Sequence, residues 1–298
     1  MRADSAAVLA APALAPKHAR GFWARLWHEK RLGAFGAAAL LLFLLCSIFA
    51  GTLAPYGPNE VSMLERMQSP SWQHLFGTDN LGRDMLSRCL YGARLSVIIG
   101  VSGAALATLI SIVIGLLSGY FGGRFDLVLQ RFVDAWMSFP DLIVLIVVAS
   151  VLGPGMPQTI GALGLLLGIA GSRIIRSAVV SVRENMYVHA AQSTGASTLR
   201  ILWRHILPNV MAPIIVLFTT RVGTVILAES ALAFLGLGVP PPAPTWGGML
   251  SGSGRLYMLE GPWLALAPGL CLVIVVYATN VFGDALRDLL DPRMRGSR

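Results

Sequence analysis

Uncharged apolar runs of twenty or more residues recur along this chain, as in residues 32–53 and 95–119. A helix needs about 20 such residues to cross the roughly 30 Å hydrocarbon core of a bilayer. A water-soluble domain of 298 residues has no use for several of them. Composition agrees. Hydrophobic residues make up 55% of the chain and charged residues 13%, the latter about half the share found in soluble globular domains. A soluble enzyme, a secreted disulfide scaffold and a disordered chain are thereby excluded. The sequence predicts an all-α integral membrane protein.

Six transmembrane helices are expected. The first occupies residues 32–54 and meets Pro55-Tyr56-Gly57-Pro58, a helix stop rather than a small-residue cleavage site. The others run from about Leu95 to Gly119, Phe132 to Leu152, Gln158 to Val180, Val210 to Leu235 and Pro262 to Phe282. Residues 1–20, with Ala-Pro repeats, read as a disordered cytoplasmic tail. Residues 21–31 read as a basic juxtamembrane segment and 55–94 as an extracytoplasmic connector. Residues 95–294 then form the core with five further helices, and 295–298 a short tail. Trp23, Trp27, Trp246 and Trp263 fall near span ends, where an indole anchors at the membrane interface. Cys46, Cys89 and Cys271 form no CxxC pair and read as packing residues. No internal repeat is visible, which argues against a carrier built from inverted repeats.

The net charge of +8 is largely a topology signal rather than a sign of nucleic-acid binding. With the N-terminus inside, the cytoplasmic stretches collect Arg2, Lys17, Arg20, Arg25, Lys30 and Arg31 before the first span. They also collect Arg124, Arg131, Arg173, Arg176, Arg183, Arg200, Arg204 and the C-terminal Arg287, Arg293, Arg295 and Arg298. Outside are left only Arg66, Arg83, Arg88, Arg94 and Arg255, with Arg221 inside a span. Basic residues gather on the cytoplasmic side, so both termini are expected there. Lys17 and Lys30 are the only lysines, and neither is followed by Ser or Thr. A phosphate-binding P-loop needs that pair so that the ammonium reaches the nucleotide's β- and γ-phosphates. ATP, if used, is bound by another chain. The five histidines form no metal set and no nucleophile–base–acid arrangement is visible, so neither catalysis nor a cofactor is assigned to this chain.

Between the fourth and fifth spans the sequence runs Tyr187-Val188-His189-Ala190-Ala191-Gln192-Ser193-Thr194-Gly195-Ala196-Ser197. It continues Thr198-Leu199-Arg200-Ile201-Leu202-Trp203-Arg204-His205-Ile206-Leu207-Pro208-Asn209. This predicts a short amphipathic helix, a bend at Gly195, a second basic helix and a stop at Pro208. Small residues at Ala190 and Ala191 let a partner's backbone come close. Leu199, Leu202, Trp203 and Ile206 share one helical face. Such a helix either lies in the lipid interface or docks into a protein groove.

The 187–209 segment resembles the coupling-loop signature of ABC importer permeases, with Ala190, Ala191, Gly195, Ile201 and the run from His205 to Pro208 in register. His189 stands where that signature has a glutamate. Phe76-Gly77-Thr78-Asp79-Asn80-Leu81-Gly82-Arg83-Asp84 and Glu229-Ser230-Ala231-Leu232-Ala233-Phe234-Leu235-Gly236-Leu237-Gly238 are similar to signatures of the second permease subunit of dipeptide and oligopeptide ABC importers. So are Gly119-Tyr120-Phe121-Gly122-Gly123 with Asp126, and the tail Gly283-Asp284-Ala285-Leu286-Arg287-Asp288. The resemblance covers roughly residues 22–294. It implies the type I ABC importer permease fold in a bacterial inner membrane and uptake of dipeptides or oligopeptides. It also implies a homologous second permease, an extracytoplasmic substrate-binding protein and two ATPase subunits carrying ATP and Mg. Tyr187, Ala190, Ala191, Gly195, Leu199, Ile201, Leu202, Trp203, His205 and Pro208 would then couple to the ATPase.

Other charges offer further candidates. Asp79, Arg83, Asp84 and Arg88 recur at helix-like spacing and, with Arg94, lie in the connector, as ion pairs or as a docking face or gate. Arg221 and Glu229 lie inside the fifth span, about 12 Å apart along a helix. Ionisable groups at that depth usually face a bundle interior or a translocation path. Asp134 and Asp141 flank Pro140 and read as helix-start charges. A stand-alone proton-coupled carrier or channel would instead use Glu229, Arg221 and Asp134 as its relay, and it leaves the 187–209 segment unexplained.

Overall fold

A computed structural model describes residues 22–290, so the tails expected at 1–20 and 295–298 fall outside the described residues. α1 (Phe22–Glu29) leads into α2 (Arg31–Ile48), extended after Phe49 by the short α3 (Ala50–Leu53). An irregular stretch then reaches α4 (Met85–Phe121). The second span thus begins at Met85, not near Leu95. Arg88 and Arg94 hide its first turns from a hydropathy reading, yet the start signal is local: Asp84 accepts a hydrogen bond from the Ser87 N–H as N-cap. At 37 residues, α4 is about 55 Å long and projects well beyond a hydrocarbon core of about 30 Å.

The helix expected as the third span is interrupted. α5 (Gly123–Met137) and α6 (Asp141–Leu152) meet at 87°, where one helix over 132–152 is expected from hydropathy. Pro140 lacks a donor and disfavours helix at Phe139, so the chain turns there and restarts at Asp141. α5 is amphipathic, and its Asp126 and Asp134 pair with Arg176 and Arg173 of α7 (Met156–Arg183). α7 runs tightly along α4. A Cβ at Gly115 would stand 2.8 Å from the Ser172 carbonyl, and Ser111 Oγ donates to the Gly168 carbonyl at 2.7 Å. Small residues of this kind let membrane helices approach backbone to backbone.

α8 (Met186–Ser193) and α9 (Thr198–Ile201) precede α10 (Met211–Phe234). Pro208 does not stop the second helix, contrary to the expectation. Leu202–Ile206 widens into a π turn and Leu207–Val210 narrows into a 3₁₀ turn, so the helical path runs on from Thr198 to Phe234. The change of pitch absorbs the missing proline donor. Asn209 Nδ2 also donates to the His205 carbonyl at 2.7 Å.

α11 (Trp246–Ser251) and α12 (Ser253–Leu256) fold back against α10 and α13 (Trp263–Leu290). Trp246 is therefore a core residue, 0% exposed and donating to the Cys89 carbonyl at 3.0 Å, rather than an interface anchor. Among the described residues, five helices are long and apolar enough to cross a membrane, or six when the bent α5–α6 pair is counted as one span. Lys30 Nζ donates to Asp288 Oδ2 at 2.5 Å, which places the start of the first span and the end of the last on one face.

Candidate functional site

α7 ends at Arg183, and Asn185 Nδ2 donates to the Val182 carbonyl at 2.9 Å before α8 begins. The Arg183 guanidinium beside Glu184 holds its carboxyl below the usual carboxylate range. α8 closes with a Schellman arrangement: the Ala196 N–H bonds the Ala191 carbonyl at 3.1 Å and the Gly195 N–H bonds that of Gln192 at 3.0 Å. Gly195 sits at φ +77°, a left-handed conformation that favours glycine. A Cβ there would meet nothing within 4 Å, so its role within this chain is conformational.

The apolar residues of the segment divide between two sides. Val188, Ile201, Leu202 and Ile206 are buried against Ile175, Val179, Val210, Ile214 and Leu217. Leu199 and Trp203 point outward, each 65% exposed, beside the exposed Met186, Tyr187, Ala190, Arg200 and Arg204. The single face expected for Leu199, Leu202, Trp203 and Ile206 is thus split: the burial boundary runs through it, with Leu199 and Trp203 on the outward half beside Arg200 and Arg204, and Leu202 and Ile206 on the inward half beside Ile201. Ala191 and His205 are half-buried and Pro208 is exposed. The outward side is an apolar platform with a basic rim. Met186, 88% exposed, is the member that sequence reasoning missed.

At the opposite face the connector folds inward. Asp79 Oδ2 pairs with Arg83 Nη2 at 2.6 Å, and its Oδ1 accepts the Leu81 and Arg83 N–H groups, so this is a loop motif and not a helix ladder. Asp84 caps α4 and meets His74 Nδ1 at 2.9 Å. Arg88 donates to the Pro58 carbonyl at 2.9 Å instead of pairing with Asp84. Asp79, Asp84 and Arg88 are buried, which leaves Arg83 partly exposed, while Arg94, expected in the connector, is exposed in the third turn of α4.

Glu229 is 0% exposed on α10, with Ser230 Oγ 3.5 Å from its Oε2 and no hydrogen-bond partner for Oε1. Arg221 is half-buried against α7, where a Cβ at Gly171 would lie 3.3 Å from its Nη2. Asp134 pairs with Arg173. The three members of the conjectured relay therefore occupy three separate environments. A cavity of about 560 Å³ between α7, α10 and α13 is lined by neither Arg221 nor Glu229 but by Ile174, Pro213, Val216, Thr220, Asp284 and Arg287. Among the described residues no group of three or more His, Cys, Asp or Glu is placed to hold a metal.

Residues 111–296 match the family described as binding-protein-dependent transport system inner membrane component. A putative peptide transport system permease protein of Brucella suis biovar 1 is 41% identical over 272 residues, 91% of either chain. The dipeptide transport system permease protein DppC of Alkalihalophilus pseudofirmus is 39% identical, covering 90% of this chain and 88% of its own. The di/tripeptide transport system permease protein DppC of Pseudomonas aeruginosa is also 39% identical, covering 95% and 94%. In fold, the chain is similar to the MetNI methionine ABC transporter in an inward-facing conformation, with a TM-score of 0.54 at 16% identity over 70% of this chain and 98% of that one.

Proposed function

The chain belongs to the family of binding-protein-dependent transport system inner membrane components, and on that premise we propose that it is a permease subunit of an ATP-driven importer of dipeptides or oligopeptides. Relatives named for peptide, dipeptide and di/tripeptide transport support the substrate class. The subunit supplies half of the translocation pathway beside a homologous second permease. It receives substrate from an extracytoplasmic binding protein and works with two ATPase subunits, which bind ATP and Mg. It is a multi-pass protein of the inner membrane with both termini cytoplasmic, a reading that the Lys30–Asp288 pair supports by joining the two ends.

The observation that carries this reading is the two-sided segment 186–206. Its inner side is locked to the ends of α7 and α10, while its outer side leaves Trp203 and Leu199 unburied. Only Glu184 and Asn185 separate α7 from α8, and α9 continues through Leu202–Val210 into α10. An ATPase gripping the outer side therefore moves both spans without a slack linker. ATP-driven closure then favours one arrangement of the spans through that differential contact, which coupling requires. With a tag on this chain, detergent-extracted complexes should retain the ATPase subunits. Efficient proton-driven uptake by the chain alone would contradict the proposal.

Gly195 gives a graded test. Valine at φ +77° costs about 1–2 kcal/mol in left-handed strain, enough to reorient α9 against α8. Asparagine tolerates that conformation better. Gly195→Val is expected to lower uptake about tenfold, the equivalent of about 1.4 kcal/mol, and Gly195→Asn to stay near wild type. Equal uptake by both variants would remove the conformational role.

A further inference from the structure

The cytoplasmic end of α7 is bolted to the corner between α4 and α5. Arg176 grips Asp126 through two parallel hydrogen bonds, Nε to Oδ1 at 2.6 Å and Nη2 to Oδ2 at 2.5 Å. Ser118 of α4 also donates to Asp126, and Gln130 Nε2 donates to Ser118 Oγ at 2.9 Å. Two turns further along α7, Arg183 Nη1 donates to the carbonyls of Gly119 and Tyr120, both at 3.1 Å. Those carbonyls belong to the last turn of α4, where no intrahelical donor remains. Beneath both arginines the helices touch through glycine: a Cβ at Gly119 would lie 2.8 Å from Val179 Cβ and 3.0 Å from the Arg176 carbonyl.

The spacing of these contacts matters because α8 begins at Met186, immediately beyond Arg183. A fork-to-fork arginine–carboxylate pair fixes orientation as well as distance. A helix end capped by a guanidinium from its neighbour cannot slide along it without losing both bonds. We infer that Arg176 and Arg183 are positioning residues that make α4, α5 and α7 respond to displacement of α8 as one body, so that the motion reaches the α4–α5 corner as well as α7. This rests on the proposed importer function and extends it to residues outside the 187–209 segment.

The test uses the whole importer, permease pair, ATPases and loaded binding protein, in proteoliposomes, and reads peptide imported per ATP hydrolysed. Arg176→Asp and Asp126→Arg are each expected to lower that ratio about tenfold, and the combined exchange to recover it to within about threefold, as paired groups in contact do. If neither single variant assembles, Arg176→Lys reads the same ratio, since it keeps the charge but loses the planar fork; a fall of about threefold is expected. A ratio that stays constant while uptake and hydrolysis fall together would overturn the inference, as would an exchange no better than the single variants. Failure of the importer reading itself looks different: the wild-type assembly would show no uptake dependent on ATP and binding protein.

Discussion

Reducing Trp203 and Leu199 together to alanine is expected to cut ATP-dependent uptake about 100-fold while leaving the permease folded and inserted. Both side chains are 65% exposed, and neither belongs to the cluster that holds the segment together. Their loss should therefore cost the isolated chain little, within about 0.5 kcal/mol. At an interface the balance reverses. A tryptophan anchor truncated to alanine typically costs about 2–4 kcal/mol of binding, and about 1.4 kcal/mol is worth a factor of ten. Size-exclusion chromatography should show the permease pair intact and the ATPase subunits lost. Ile206→Ala is the contrasting variant. Ile206 is 0% exposed, so its truncation is expected to cost about 2–5 kcal/mol of folding stability before any effect on docking.

Gly115→Leu is expected to abolish the folded permease altogether. A Cβ at this position would stand 2.7 Å from Ile175 Cβ, 2.8 Å from the Ser172 carbonyl and 2.9 Å from the Arg176 N–H nitrogen. Two of those three neighbours are backbone, which no rotamer change can clear. Forcing extra atoms into a packed interface costs about 1–3 kcal/mol and sometimes more, and here the α4–α7 contact that organises the bundle would open. Gly161→Ala is the control on α7. A Cβ there meets nothing within 4 Å, and alanine gains about 1 kcal/mol of helix propensity over glycine. The fraction of monodisperse protein surviving a heat step in detergent should fall to near zero for Gly115→Leu and hold or rise for Gly161→Ala.

Much of this molecule was legible in its sequence, for physical reasons that also mark where legibility ended. Apolar runs locate spans because the bilayer demands about 20 residues, and α2, α7 and α10 lie close to where those runs place them, while α13 runs on past the expected Phe282 to Leu290. Hydropathy does not register caps and breaks. The Asp84 cap and the Pro140 corner were visible as residue types, yet both are outweighed in a window average by their apolar surroundings. The 187–209 segment was legible as a motif, since Gly195 and the small residues at Ala190 and Ala191 signal their own geometry. Its two-sidedness was not, because which apolar residues turn inward depends on Ile175, Val179, Ile214 and Leu217 of α7 and α10, distant in sequence, packing against Ile201, Leu202 and Ile206. Asp126 and Arg176 lie fifty positions apart and meet only once α5 and α7 have packed.

Uptake of a labelled dipeptide into proteoliposomes holding the complete assembly tests the central claim most directly. With loaded binding protein and ATP supplied to their respective faces, and no proton gradient, accumulation is expected, and it should vanish when ATP is replaced by a non-hydrolysable analogue. Accumulation driven by an imposed proton gradient without ATP would contradict the account.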